Sequence, residues 1–206
     1  MFIISSIPIL YEVLTRSNIF FNSTIIIFSL HYFLDNKRHN SIFNGIIIGL
    51  FLSTRNVFII PYEIVFIYAL RSKSYSFSEL IKIGVVAVIT FIITFLPFIY
   101  NHINEFWKIN PFIIQSSVLM PAKFSFTCII VSFLFSFLIK KKNDVYFLSG
   151  ISLFLTIVCY FIYQIFITDF NIAFWDSQAD ITYFILCYPF LIYFFLLEDK
   201  NISQNI

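Results

Sequence analysis

Arg55 stands within a long, mostly apolar stretch and is the residue best suited to chemistry on an anion. A guanidinium group offers a planar fork of donors to phosphate oxygens, and dry surroundings strengthen that contact. An ionisable side chain at membrane depth favours a functional role by default. Arg55 is therefore predicted to bind a phosphate, and the alternative is a helix-end anchor whose head extends to water.

The carboxylates that could act as an acid or a base are few and scattered. Glu12 and Arg16 are spaced i,i+4, which predicts an ion pair on one helix face. Asp176 and Asp180 lie in an acidic segment, 168–180. These three acids are the catalytic candidates, and Arg16 is a second candidate for phosphate binding. The alternative is that the acids are solvated side chains, because no pair such as Asp-x-Asp stands in that segment.

The remaining polar residues of the apolar runs do not indicate a metal site. Glu63 lies eight residues beyond Arg55, so the two side chains are roughly 80° apart on a helix. Glu63 is expected to pair with a cation elsewhere or to be protonated in the core. The three histidines are scattered, and the three cysteines lie inside apolar runs without ligand spacing.

The composition defines the elements that must position these residues. Hydrophobic residues make up 60% of the 206 positions and charged residues only 12%. A soluble domain is usually about 25% charged, so this chain has too little polar surface to coat a soluble globule. Its basic residues form short separate clusters, which argues against nucleic acid as a partner. We predict an all-α, polytopic transmembrane helical bundle with membrane lipid as a partner.

Seven apolar runs are predicted to cross the membrane in one domain over residues 1–206. A span needs about 20 apolar residues, and fewer when the helix is packed among others. The predicted spans are 19–34, 43–54, 57–70, 80–100, 124–139, 145–167 and 181–197.

The stretch 43–70 has two interpretations, which give six or seven spans. One continuous helix would place Arg55 near mid-membrane, at a cost of ~2.5–3.5 kcal/mol. Two short helices form a hairpin with Arg55 at its tip, but they would reach only ~18 and ~21 Å. We favour the hairpin. Within it, Gly45 and Gly49 form a GxxxG spacing, which predicts a close helix–helix approach.

The basic clusters predict the orientation, because positive residues collect on the cytoplasmic side. Lys140–Lys142, Arg71/Lys73 and Lys37/Arg38 are placed inside, and 101–123 and 168–180 outside. The chain is then integral to the cytoplasmic membrane, with its N-terminus outside and its C-terminus inside.

The stretch from Gly45 through Gly49 to Thr54-Arg55, followed by Pro61 and a second short apolar run, resembles the polytopic glycosyltransferases of the GT-C class. The segment 11–18, YEVLTRSN, also looks like bacterial members of that class. The resemblance implies transfer of a hexosyl or pentosyl group from a polyprenyl-phosphate-sugar donor on the outer face. It implies that Arg55 contacts the leaving phosphate, and it is compatible with a divalent cation there; we otherwise expect no cofactor.

One departure from the class leaves the activity open. Members of the class carry a catalytic acid in the outer loop after their first transmembrane helix, whereas this chain opens with Phe2–Leu10 and Tyr11-Glu12. We therefore expect it to be the C-terminal part of a longer enzyme, with negligible turnover by itself. The alternatives are a non-catalytic membrane scaffold and a transporter subunit.

Overall fold

Helices make up all the regular secondary structure in the described part of this computed structural model, which covers residues 17–35, 40–54, 56–101, 103–104, 122–167 and 186–204. The all-α prediction is confirmed for these residues. The helices are α1 (Ser17–Asp35), α2 (Ser41–Thr54), α3 (Ile59–Arg71), α4 (Phe77–Asn101), α5 (Ala122–Ser136), α6 (Asp144–Ile167) and α7 (Tyr188–Gln204), with a 3-10 turn at Asn56–Phe58.

Two of these helices are long and apolar enough to cross a membrane. They are α4, over Phe77–Pro97 with a mean hydropathy of 2.4, and α6, over Asp144–Tyr163 with 2.2. The other five are 13 to 19 residues long. At ~1.5 Å per residue, 13 residues reach ~20 Å, whereas the hydrocarbon core is ~30 Å thick. The described helices therefore do not confirm a bundle of six or seven spans.

The chain divides into two compact units. One unit comprises residues 29–139 and contains the last turns of α1 together with α2, α3, α4 and α5. The other comprises residues up to 28 and from 140 onward, and contains the first part of α1 with α6 and α7. The single transmembrane domain over 1–206 stays a prediction.

The helix break after Thr54 is explained by the residues on both sides of it. The hydroxyls of Ser53 and Thr54 donate to the Leu50 and Phe51 carbonyls, both at 2.7 Å, in the last turn of α2. Pro61 lies in the first turn of α3, where a missing N–H costs nothing. In a continuous helix its ring would clash with the preceding turn. The single helix over 43–70 is therefore absent, and the chain is broken as the two-helix alternative requires.

Within the unit of residues 29–139, α2 packs along α4 more extensively than any other described helix pair. A Cβ added at Gly45 would lie 2.6 Å from the Cβ of Val86, and one at Gly49 would meet the Ala87 carbonyl. The two glycines therefore let the backbones of α2 and α4 approach closely, which confirms the packing predicted from their spacing. In the same unit, α3 packs against α5.

In the other unit, α6 packs against α7. Gly150 faces Leu191, and the rings of Tyr146 and Tyr193 meet edge to face at 4.8 Å. The bounds of α7 differ from those of the predicted span 181–197. The helix begins at Tyr188, with Pro189 in its first turn. It continues to Gln204, past the charged residues 198–200, since backbone hydrogen bonding does not depend on hydropathy.

Candidate functional site

Several polar residues of the unit 29–139 lie at one end of its helices, around Tyr75 in the α3–α4 connection. The Tyr75 hydroxyl donates to the Phe33 carbonyl at 2.9 Å and accepts from the Asn44 amide at 3.2 Å. Phe33 lies in the last turn of α1, where carbonyls lack an intrahelical partner. Tyr75 therefore joins the end of α1 and the start of α2 to the connection between α3 and α4.

The Tyr75 side chain acts as a neutral hydrogen-bonding group. It is 3% exposed, and its ring stacks on that of Phe33 with centroids 4.5 Å apart. Burial raises the pKa of Tyr75 to about 12, although the hydrogen bond from Asn44 acts in the opposite direction. The phenol consequently keeps its proton at neutral pH and remains a donor to Phe33.

Arg71 connects the residues that follow α5 to the α3–α4 connection. Its Nη1 donates to the Phe137 carbonyl at 2.5 Å and to the Ile139 carbonyl at 3.3 Å, while the guanidinium carbon lies 5.9 Å from the Phe137 ring centre. Lys140 follows directly in the chain. We call this region, formed by Phe33, Asn44, residues 71–76 and residues 137–139, the basic end.

The α3–α4 connection is a defined turn. The Ser74 amide donates to the Ala69 carbonyl and the Lys73 amide to the Leu70 carbonyl, the two bonds of a Schellman motif. Lys73 takes the left-handed position, with φ 55°, which glycine usually occupies. The connection is thereby fixed in shape.

The start of α4 is closed by a capping box. The carboxylate of Glu79 accepts from the Ser76 amide at 2.8 Å, and the Ser76 hydroxyl accepts from the Glu79 amide at 3.3 Å. This reciprocal pair satisfies two donors that a helix start otherwise leaves without partners. Glu79 is therefore occupied in holding the first turn of α4.

Glu63 pairs with a hydroxyl group instead of a cation in the described part of the chain. Ser132 of α5 donates to its Oε2 at 3.2 Å, and the same hydroxyl lies 2.8 Å from the Ile129 carbonyl. Glu63 is half-buried on α3. The contact joins α3 to α5.

The site residues predicted from the sequence lie outside the described residues, namely Glu12, Arg16, Arg55, Asp176 and Asp180. The roles assigned to them from the sequence therefore stay predictions. The structure does describe both flanks of Arg55: α2 ends at Thr54 and the 3-10 turn begins at Asn56. Since α2 starts at the basic end and rises ~20 Å over its 14 residues, its Thr54 terminus lies at the opposite end.

The unit with α6 and α7 has a polar end of its own. Asp144, the first residue of α6, accepts from the Lys140 and Lys141 amides at 3.2 and 2.8 Å and so fixes the turn that leads into the helix. The Asn143 amide donates to Glu198 of α7 at 3.2 Å. Burial lowers the pKa of Lys142.

The described residues contain no group of three or more His, Cys, Asp or Glu side chains that could hold a metal ion. His31 and Asp35 make an i,i+4 pair, 2.8 Å apart, near the end of α1. That contact is exposed, and its two members are a short-range pair within one helix.

Sequence reasoning missed the partners of these polar residues. Tyr75 stands in a serine-rich stretch, RSKSYSF, which indicated only a polar connection. Asn44 lies 31 residues away, and Ser132 lies 69 residues from Glu63. Pairs so distant in the chain have no local signal.

In comparisons with known proteins, no family model, no curated protein and no solved structure matches this chain.

Proposed function

We propose that the chain is an integral protein of the cytoplasmic membrane and part of a GT-C-like glycosyltransferase. It would move a sugar from a polyprenyl-phosphate carrier on the outer face, with Arg55 contacting the phosphate. The N-terminus would be outside and the C-terminus inside.

The surface of α4 supports the membrane part of this proposal. Ile81, Val85, Val88, Ile92 and Leu96 are each 48 to 58% exposed. Only 17% of the apolar stretch of α4 is buried, whereas the core helix of a soluble protein would be mostly buried. An apolar surface of this length suits hydrocarbon and would promote association in water.

The observation that carries the functional part is the helix break beside Arg55. If the basic end faces the cytoplasm, as the distribution of positive charge favours, then Thr54 and the turn at Asn56–Phe58 lie towards the outer face. A guanidinium group at such a break would meet a lipid phosphate at the membrane boundary. This is the position that the resemblance to the GT-C class requires.

The test is sugar transfer by the full-length protein in lipid, with polyprenyl-phosphate sugars and an acceptor. Arg55→Lys keeps the charge but loses the planar fork, so we expect a marked loss of transfer, and a larger loss for Arg55→Ala. Lys82→Gln is the matched control, because it removes a positive charge elsewhere. Transfer by Arg55→Ala equal to that of the wild type, with the bundle still assembled, would leave Arg55 as an anchor only.

A non-catalytic scaffold is the second candidate. It is favoured by the observation that Gly45, Gly49 and Glu63 all contribute to contacts between helices. Under this alternative, no sugar donor supports turnover, and Arg55 variants change the stability of the bundle alone.

A further inference from the structure

A shallow apolar groove lies between α3 and α4 beside the basic end. Its volume is about 250 Å³, and its lining is formed by Phe66, Ile67, Leu70, Phe77, Leu80 and Ile81. The helices α3 and α4 are not closely packed against each other here, and the groove between them is open to the surface.

Gly84 lies on α4 just beyond the residues that line the groove. This glycine lies four residues after Leu80 and three after Ile81, so it shares their face of the helix. A Cβ added there would meet nothing within 4 Å. A glycine inside a helix is less favourable than alanine, and among the described residues no close helix–helix packing accounts for it at this position. A larger side chain at Gly84 would extend into the open space beside Ile81.

The mouth of the groove carries positive charge. Leu70 and Phe77 are joined by Arg71, the last residue of α3, and by the α3–α4 connection, which contains the exposed Lys73. The Glu79 carboxylate accepts from the amide and the hydroxyl of Ser76 in the capping box, so these two donors offset part of its charge. An apolar path with cations at its mouth matches an anionic amphiphile.

We propose that this groove binds a phospholipid with an anionic headgroup, whose acyl chain lies along α3 and α4 and whose phosphate lies by Lys73. This inference rests on the proposed membrane location but not on sugar transfer. The site is at the basic end, whereas the proposed donor site is at Arg55. The bound lipid would belong to the membrane leaflet that the basic end faces.

Native mass spectrometry of the full chain in mild detergent tests the proposal, with phosphatidylglycerol as the probe and phosphatidylcholine as its neutral counterpart. We expect bound phosphatidylglycerol to survive at concentrations where phosphatidylcholine does not. Equal retention of the two lipids would overturn the assignment of an anionic headgroup.

Two variants and their controls test the location. Gly84→Leu should reduce the apparent affinity about tenfold, because displacing roughly two methylene groups from apolar contact has that effect. Ile93→Phe adds bulk about 160° around α4 from Phe77 and should leave binding unchanged. Lys73→Gln should reduce binding about fivefold, whereas Lys82→Gln, on another side of α4, should not.

Each outcome separates this proposal from the proposed function. Loss of lipid binding in Gly84→Leu with normal sugar transfer supports the groove as a separate lipid site. Unchanged binding in both Gly84→Leu and Lys73→Gln overturns it, whatever the transfer assay gives. A dimer that Gly84→Leu disrupts would also overturn it, because the groove would then be an interface between copies of the chain.

Discussion

Tyr75 is joined to Phe33 in two ways: the rings stack with centroids 4.5 Å apart, and the Tyr75 hydroxyl donates to the Phe33 carbonyl at 2.9 Å. The two residues are 42 positions apart and connect the end of α1 to the α3–α4 connection. Replacing Tyr75 with Phe should keep the stack but leave the Phe33 carbonyl and the Asn44 amide unsatisfied. We expect a loss of about 1–3 kcal/mol in the free energy of unfolding.

Thermal unfolding in detergent measures that loss. Tyr100→Phe is the matched control, because Tyr100 is 90% exposed and its hydroxyl should contribute nothing measurable. Equal unfolding temperatures for the two variants would mean that the hydrogen bonds of Tyr75 do not stabilise the basic end.

The raised pKa of Tyr75 predicts a dependence on pH. Its ordinary value is 10.0, and burial raises it to about 12 in the folded chain. The unfolded state therefore loses the proton first as pH rises, and this stability is complete below pH 10 and lost towards pH 12. The advantage of the wild type over Tyr75→Phe, measured by unfolding, should shrink across that interval. A constant advantage from pH 9 to pH 12 would contradict the assignment.

The glycines of the chain should differ in their tolerance of a methyl group. Gly49→Ala places a Cβ against the Ala87 carbonyl and should destabilise the packing of α2 on α4 by about 1–3 kcal/mol. Gly84→Ala meets open space and should stabilise α4 by up to ~1 kcal/mol, because alanine is the better helix former. Unfolding of the two variants side by side checks the sign of each change. Stabilisation by Gly49→Ala would show that α2 and α4 are not in close contact, and destabilisation by Gly84→Ala would show that the space beside Gly84 is not open.

Arg71 should stabilise the end of α5. Arg71→Lys loses the planar fork that reaches the Phe137 and Ile139 carbonyls, and we expect a cost of about 1 kcal/mol. Protection of the amides near residues 137–139 from hydrogen exchange should fall in this variant. Lys82→Gln should leave that protection unchanged, and an equal decrease in both variants would point to a general charge effect.

The orientation of the chain can be tested by labelling single cysteines after Cys128, Cys159 and Cys187 are replaced. We expect a membrane-impermeant thiol reagent added from outside to miss residues 38, 73 and 141 and to reach 105 and 176. The reason is the positive charge around the first three positions. The hydrogen bonds among Phe33, Asn44 and Tyr75 add that the ends of α1 and α3 lie together. Labelling of 38 and 73 from opposite sides would contradict both arguments.

The sequence by itself determined the helical class, the helix break before Pro61 and the close packing at Gly45 and Gly49. These features depend on local properties: apolar run length, the missing N–H of proline and the absence of a glycine side chain. Local properties act over a few residues and are readable from the printed chain. The starts of α4 and α6, each with an acidic first-turn residue, also lie within three residues of their predicted positions.

Only the tertiary structure decided which polar groups meet. Tyr75 forms hydrogen bonds with Phe33 and Asn44, and Ser132 forms one with Glu63. Arg71 donates to the carbonyl of Phe137, just after α5. Hydropathy describes how residues partition between water and an apolar medium, and it carries no information about pairing between helices. The need to satisfy a buried polar group can be met by any donor that packing brings near. The partner is therefore fixed by which helices lie side by side, and that choice is made by side-chain packing over the whole chain.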